Sequence, residues 1–337
     1  MFSMGEDTSG ISSTFVIPAL DESEIRKPYR VTGASTGGAR SVACAEICFP
    51  SGGEMIAATW YRPDVLAAAV PCVVMGHGFT LTRRDGVPEY ARRLVAAGFA
   101  ALAFDYRHWG DSTGSPRGWI SLREQLADWQ AAAQHAGTLE GVDADRIAVW
   151  GFSMGGGHAL LTAARDTRIA AVVALMPSTD PLAAPPPLTI GLRMIGRALR
   201  EAITRRTVTM PAAGPPGSFA VIAAPEALPG FERLTSGRDW RNEVNTSWLL
   251  TGRHWRPVRE ATNIRAPILL QLGERDRAAP LAAIEQTATR APHAELRRYD
   301  LDHFECFSPE HIEALASGQV DFLRRHLPSP TDTTRQS

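Results

Sequence analysis

A serine flanked by glycines, Gly151-Phe152-Ser153-Met154-Gly155, follows the apolar run Arg146-Ile-Ala-Val-Trp150 and opens the small-residue segment Gly156-Gly-His-Ala-Leu-Leu161. That order constrains the chain to a buried strand, a sharp turn and a helix. A serine in such a turn needs small neighbours, because its strained backbone brings strand and helix together while the hydroxyl is pushed outward. The helix predicted to start at Met154 aims unpaired N–H groups and a partial positive charge at the space above the hydroxyl. This suits an oxygen that becomes negative during acyl transfer. Ser153 is the candidate nucleophile and the Met154 N–H a candidate oxyanion donor.

A serine hydroxyl is inert at its free pKa and needs a base, itself oriented by an acid. With a nucleophile on this kind of turn, the chain order is serine, acid, histidine. Pro267-Ile-Leu-Leu-Gln-Leu-Gly-Glu-Arg-Asp276 reads as a buried strand running into a polar turn, which puts Asp276 just past a strand's carboxyl end. Ala294 to Tyr299 alternates like a strand and leads into Asp300-Leu-Asp-His303-Phe304, so His303 is the candidate base. Glu274 is the nearest substitute for the acid, and Asp302 and Glu305 flank the histidine. Asp276 is preferred because side chains so close in sequence rarely point back at the same ring. The second oxyanion donor is expected from the loop after the third strand, Pro71 to Thr80, and the Phe79 N–H after His77-Gly78 is the candidate. His77 itself reads mainly as a loop histidine, because one base already suffices.

Strands are predicted near 43–49, 55–61, 71–76, 100–105, 146–150 and 170–176, with helices over 89–97, 122–136 and 154–165 among them. This alternation implies an α/β fold with a mostly parallel, doubly wound sheet. Between Pro177 and Ala266 the rhythm breaks. Pro185-Pro-Pro187 and Pro211 to Gly217 punctuate a stretch too long for an ordinary connection. The segment 178–265 is read as an inserted helical cap, with an amphipathic helix over Leu188 to Arg206 bearing an arginine-rich face. The core is assigned to 41–177 and 266–327, a flexible or loosely docked arm to 1–40 and a disordered tail to 328–337. His77, Met176, Phe219, Trp240, Trp248 and Trp255 are the candidate substrate-binding residues of a roofed, apolar pocket.

The ordered set His77-Gly78-Phe79, Asp105 to Ser112, Gly151 to Gly155, Gly273 to Asp276 and Asp302-His303-Phe304 resembles the α/β-hydrolase superfamily. It is closest there to the dienelactone-hydrolase-like and acyl-peptidase-like bacterial branch. The resemblance spans roughly residues 42 to 327 and is specific for the superfamily, not for a substrate. It implies that Asp105 and Arg107 tie together the floor of the site, contact of His108 or Trp109 with substrate being the lesser reading of that segment.

Of the 337 residues 44% are hydrophobic and 21% charged, and the formal net charge is −1, a balance that argues against nucleic-acid or membrane partners. The start, Met1-Phe-Ser-Met-Gly-Glu-Asp7, lacks a basic flank and apolar stretch, so a cytoplasmic location is expected. Cys44 and Cys48 would lie about 13 Å apart along one strand face, too far for a disulfide. Cys72 is expected in the core, and Cys306, close to His303, as a packed thiol or a site-lining one. No cysteine or histidine pair has ligand spacing, so neither metal nor cofactor is expected.

These readings converge on a serine hydrolase acting on an ester or thioester of a small hydrophobic acyl substrate, free or carrier-bound, in a monomer or homodimer. Members resembling this chain occur in bacterial polyketide pathways. The alternatives are a lyase that expels an acyloxy group such as acetate with the same residues, a C–C bond hydrolase, and a non-catalytic ligand-binding protein.

Overall fold

The computed structural model describes residues 42–64 and 68–328, so the expectations for the arm at 1–40 and for the tail beyond 328 fall outside the described residues. Eight strands form the central sheet: β1 (Val42–Ser51), β2 (Glu54–Pro63), β3 (Val70–Gly76), β4 (Ala100–Phe104), β5 (Val142–Phe152), β6 (Ile169–Leu175), β7 (Ile268–Gly273) and β8 (Ala294–Tyr299). Their order across the sheet is β1-β2-β4-β3-β5-β6-β7-β8. Only β2 runs against its neighbours β1 and β4; from β4 to β8 every pairing is parallel. Parallel strands are covered by helices on both faces, which is why β3, β4 and β7 are near-continuous apolar runs, buried almost throughout.

The covering helices are α1 (Val87–Ala96), α2 (Leu122–Ala136), α3 (Met154–Arg165), α6 (Leu281–Arg290) and α7 (Pro309–His326), with α4 (Leu188–Thr204) and α5 (Ala227–Leu234) belonging to the segment between β6 and β7. Ser121 caps α2, its hydroxyl accepting from the Glu124 N–H, and Leu122, Leu126, Trp129, Ala133 and Ala136 bury one face. Helix α1 starts at Val87, two residues ahead of the predicted Glu89, because Pro88 is tolerated in a first turn whose N–H groups have no acceptor. Strand β5 is longer than expected. Its polar start at Val142 pairs with Val70 before a register shift, a stretch without the apolar signature of the rest.

The segment between β6 and β7 is less helical than predicted. Besides α4 and α5 it holds single helical turns at Leu249–Gly252 and Pro257–Glu260 and two-residue ladders pairing Thr209–Met210 with Val244–Asn245 and Ala213–Gly214 with Ile222–Ala223. The proline-rich run at 211–217 cannot sustain a helix, so its neighbours pair as short extended pieces. Among the described residues no helix is long and apolar enough to cross a membrane.

Register brings the site together. Gly76 of β3 lies beside Gly151 of β5, Phe152 beside Leu175 of β6, and Gly273 of β7 beside Tyr299 of β8. The chain therefore leaves these strands along one edge of the sheet, at residues 77, 153, 176, 274 and 300. In open parallel sheets that edge is where ligands bind.

Candidate active site

Ser153 sits between β5 and α3 at φ 54°, ψ −118°, a strained backbone for a residue with a side chain. The two flanking glycines have steric causes. A Cβ on Gly151 would lie 2.1 Å from the Gly155 carbonyl oxygen, and one on Gly155 would lie 2.5 Å from the His77 and 2.6 Å from the Gly76 carbonyl oxygens. All three obstacles are backbone and cannot swing aside. Gly155→Ala is therefore expected to destabilise the fold by about 3 kcal/mol or more, read as a loss of thermal midpoint or of soluble protein. Wild-type stability in that variant would contradict the close approach.

The same approach presses the start of α3 against the 77–80 loop. As the first residue of α3, Met154 has an N–H without an intrahelical acceptor. The loop carrying Phe79 is pinned from beneath, the Tyr106 hydroxyl donating to the His77 carbonyl (3.2 Å) and the Trp129 indole donating to the Tyr106 hydroxyl (3.1 Å). Gly78 leaves room for the Phe152 ring, which a Cβ would meet at 2.8 Å.

Three distant side chains meet at this edge. The Ser153 Oγ is 2.9 Å from His303 Nε2, and His303 Nδ1 is 2.7 Å from Asp276 Oδ2. The other carboxylate oxygen of Asp276 accepts from the Ala278 and Ala279 N–H groups, each at 2.8 Å, so the acid is fixed in orientation. All three side chains are nearly buried. Of the rival acids, Asp302 accepts from the Phe304 and Glu305 N–H groups, and Glu305 accepts from the Asp302 N–H and Arg275. Both carboxylates are turned into their own loop. Phe152 and Phe304 pack against the His303 ring at 4.9 and 5.1 Å between centroids. Cys306 is buried, its thiol donating to the His303 carbonyl, and burial pushes its pKa up, which leaves a packed, unreactive thiol.

Beneath the site lie charged pairs. Arg83, buried, bonds Asp105, Glu46 and Asp111, and Arg107 holds Asp128 through two nitrogens at 2.9 and 2.6 Å. The His77 Nδ1–H donates to the Gly78 carbonyl (2.9 Å), and the ring packs on Tyr106. His158, in α3, accepts from the Trp255 indole at Nδ1 (3.0 Å), so its proton is on Nε2, which donates to Gln125 (3.1 Å). Burial lowers the pKa of both rings, that of His158 to about 3. Unfolded, these histidines take up a proton near pH 6.5, whereas folded His158 does so only near pH 3. The His158 contribution to stability is thus full above about pH 6.5 and falls as the pH drops from there toward 3, by about 1.4 kcal/mol per unit, with His77 acting in the same direction. Urea unfolding at several pH values checks this; a flat profile between about pH 6.5 and 4.5 would contradict the neutral assignments.

The predicted pocket residues divide. Trp240 stacks on Phe231 (5.2 Å) with its indole near the Thr80 hydroxyl (3.4 Å), and Trp248 packs edge-on against Phe79 (5.8 Å). Phe219 lies under the guanidinium groups of Arg193 and Arg197. Met176 is fully buried behind Ser153 at φ 45°, its N–H donating to the Gln271 carbonyl. Trp255 needs correction: its indole N–H is spent on His158 and its ring fills the space beside Gly157, so it locks the insertion onto α3. A cavity of about 520 Å³ lies between the 80–85 loop, the 108–119 loop and the insertion, walled by Thr80, His108, Trp109, Trp119 and Trp240; Ser153, Asp276 and His303 do not line it, and Thr80, next to Phe79, is its nearest approach in sequence to the oxyanion loop. Of the six candidate pocket residues Trp240 alone is on its wall, together with His108 and Trp109 from the loop after β4. Trp119 escaped sequence reading because it stands in an irregular loop with no periodicity to mark a face. Among the described residues no group of three or more His, Cys, Asp or Glu is placed to hold a metal ion.

Residues 67–304 match the family described as serine aminopeptidase, S33. The chain belongs to this family of the α/β-hydrolase superfamily. It is 38% identical over 291 residues to the quorum-quenching protein AidA of Acinetobacter baumannii, covering 84% of this chain and 95% of that protein. It is 27% identical over 267 residues to the polyketide transferase grgF of a Penicillium species, covering 76% and 88%. A structure of DcsB in complex with its substrate analogue superposes with a TM-score of 0.75 at 20% identity, covering 86% of this chain and 100% of that one, a likeness of fold. Family membership makes this α/β hydrolase an acyl-handling enzyme.

Proposed function

We propose that the chain is a serine hydrolase that cleaves an ester or thioester of a hydrophobic acyl substrate through an acyl-enzyme. The observation that carries this reading is the unbroken hydrogen-bonded chain from the Ser153 hydroxyl through His303 to Asp276. In the proposed cycle His303 Nε2 takes the Ser153 proton as Oγ attacks the carbonyl carbon. Asp276 holds the imidazole in the right tautomer and stabilises its positive charge. The Phe79 and Met154 N–H groups stabilise the oxyanion. The histidine then protonates the leaving alcohol or thiol, and water, deprotonated by the same ring, releases the acid.

The segment 178–265 acts as a cap in this reading. Support comes from Trp240 and Trp248, which reach from it to Thr80 and Phe79 beside the nucleophile. Because one relative is named for quorum quenching and another for polyketide transfer, a small signal molecule and a polyketide are the substrates to try first. The test is a panel of acyl esters and acyl thioesters, with products identified by mass. Hydrolysis gives an acid with one oxygen from labelled water. A new alkene without that oxygen would replace the reading with acyloxy elimination, and an acyl group found on an added alcohol would replace it with transfer.

A further inference from the structure

Helix α4 has one face committed to the protein and one on which, among the described residues, nothing packs. Met194, Ala198 and Glu201 are buried, and Glu201 accepts from the Thr246 N–H and hydroxyl and from the Ser247 N–H, at 2.6 to 2.8 Å. On the other face Leu188, Leu192, Ile195, Leu199 and Ile203 are between 46% and 79% exposed. Seven large apolar side chains are exposed among the described residues, and these are five of them. A cluster on a single helix is not the ordinary scatter of surface leucines and marks a contact face.

The stripe runs at steps of four, three, four and four residues, close to the spacing that pairs one helix with another. It also reads alike from both ends. In an antiparallel pair centred between Ile195 and Gly196, Leu188 falls opposite Ile203, Leu192 opposite Leu199, and Ile195 opposite Gly196. Gly196 has open space where a Cβ would stand, so a second backbone can come close there and receive the isoleucine. Such self-complementarity is what a two-fold contact requires. No charged residue lies on the stripe and Glu201 is turned inward; Arg193 and Arg197 lie over Phe219, and the exposed Arg200 borders the stripe on that same side.

We infer that α4 is a homodimer interface, two copies pairing antiparallel through this stripe. The five residues expose roughly 600 Å² in each copy, so their complete burial in a pair would remove about 1,200 Å² from water, the lower edge of the range for stable interfaces. A helix lying on anionic lipid would carry cations on both borders of its apolar face. Here one border is buried in the insertion, which favours a second copy over a membrane. The interface does not depend on the catalytic reading, although Glu201 joins α4 to Thr246 and Ser247, just before Trp248, which packs on Phe79.

Light scattering on the full chain should give twice 36.4 kDa, and the double variant Leu192→Glu, Leu199→Glu should give a folded monomer with an unchanged circular dichroism spectrum. The variant Ile195→Cys should form an intermolecular disulfide on mild oxidation well above the wild-type background. Ile203→Cys should not, whereas Leu188→Cys and Ile203→Cys in one chain should. A monomeric wild-type chain overturns the inference, whether the stripe then binds phosphatidylglycerol vesicles or becomes free to dimerise only after residues 1–41 are removed. A dimer that survives the double glutamate variant, or Ile203→Cys linking to itself as fast as Ile195→Cys, overturns it too. If the double variant itself fails to fold, the cysteine pattern in otherwise native protein decides.

Discussion

Replacing Ser153 by alanine is expected to lower turnover of an activated ester by on the order of 10⁵ to 10⁶ while the protein stays folded. The substitution removes one oxygen, whose partner is the His303 ring at 2.9 Å, and keeps the Cβ that the strained turn already accommodates. The turn itself is held by backbone: the Ser153 N–H donates to the Leu175 carbonyl, and its own carbonyl accepts from the Gly157 and Ser178 N–H groups. None of these bonds involves the side chain. Steady-state kinetics with an activated ester, paired with a thermal midpoint, separates loss of chemistry from loss of fold. Residual activity within tenfold of wild type would remove Ser153 from the mechanism.

Asp276→Asn is expected to cost on the order of 10⁴ in kcat, the loss that a wrong histidine tautomer brings in a serine–histidine–aspartate site. The surroundings dictate which way the amide must sit. Two backbone N–H groups, from Ala278 and Ala279, point at one oxygen of residue 276 and demand an acceptor there. The amide oxygen takes that place, and the amide nitrogen is left facing His303 Nδ1. Two donors cannot share one hydrogen bond, so Nδ1 gives up its proton and Nε2 carries one. A protonated Nε2 cannot accept the proton of Ser153. Single-turnover acylation rates would measure the effect. A loss below about tenfold would require another acid, and Asp302 and Glu305 are engaged in their own turn.

What could be read from the chain and what could not follow physical lines. The strands β3, β6 and β7 and the apolar second half of β5 were legible because burial on both faces leaves continuous apolar runs that few other structures tolerate. The two glycines around Ser153 were legible for a related reason, since backbone packed within 2.1 to 2.6 Å of a would-be Cβ admits no other residue. The insertion was harder. Phe219, Trp240, Trp248 and Trp255 were read there as candidates for the pocket, yet Trp255 serves packing, because composition cannot tell an indole facing a cavity from one bonded to a buried histidine. Trp119, on the cavity wall, lay in a loop without pattern. The prolines of 211 to 217 showed that a helix would not run there, but which residues pair in the short ladders beside them is set by tertiary contacts.

The central claim is that Ser153, His303 and Asp276 act together on a carbonyl or its equivalent. Intact-protein mass after exposure to a fluorophosphonate tests it most directly. One phosphonyl adduct per chain is expected, mapped to Ser153, absent from Ser153→Ala and strongly slowed in His303→Ala. Folded wild-type protein that takes up no probe, or labels at another residue, would contradict the account.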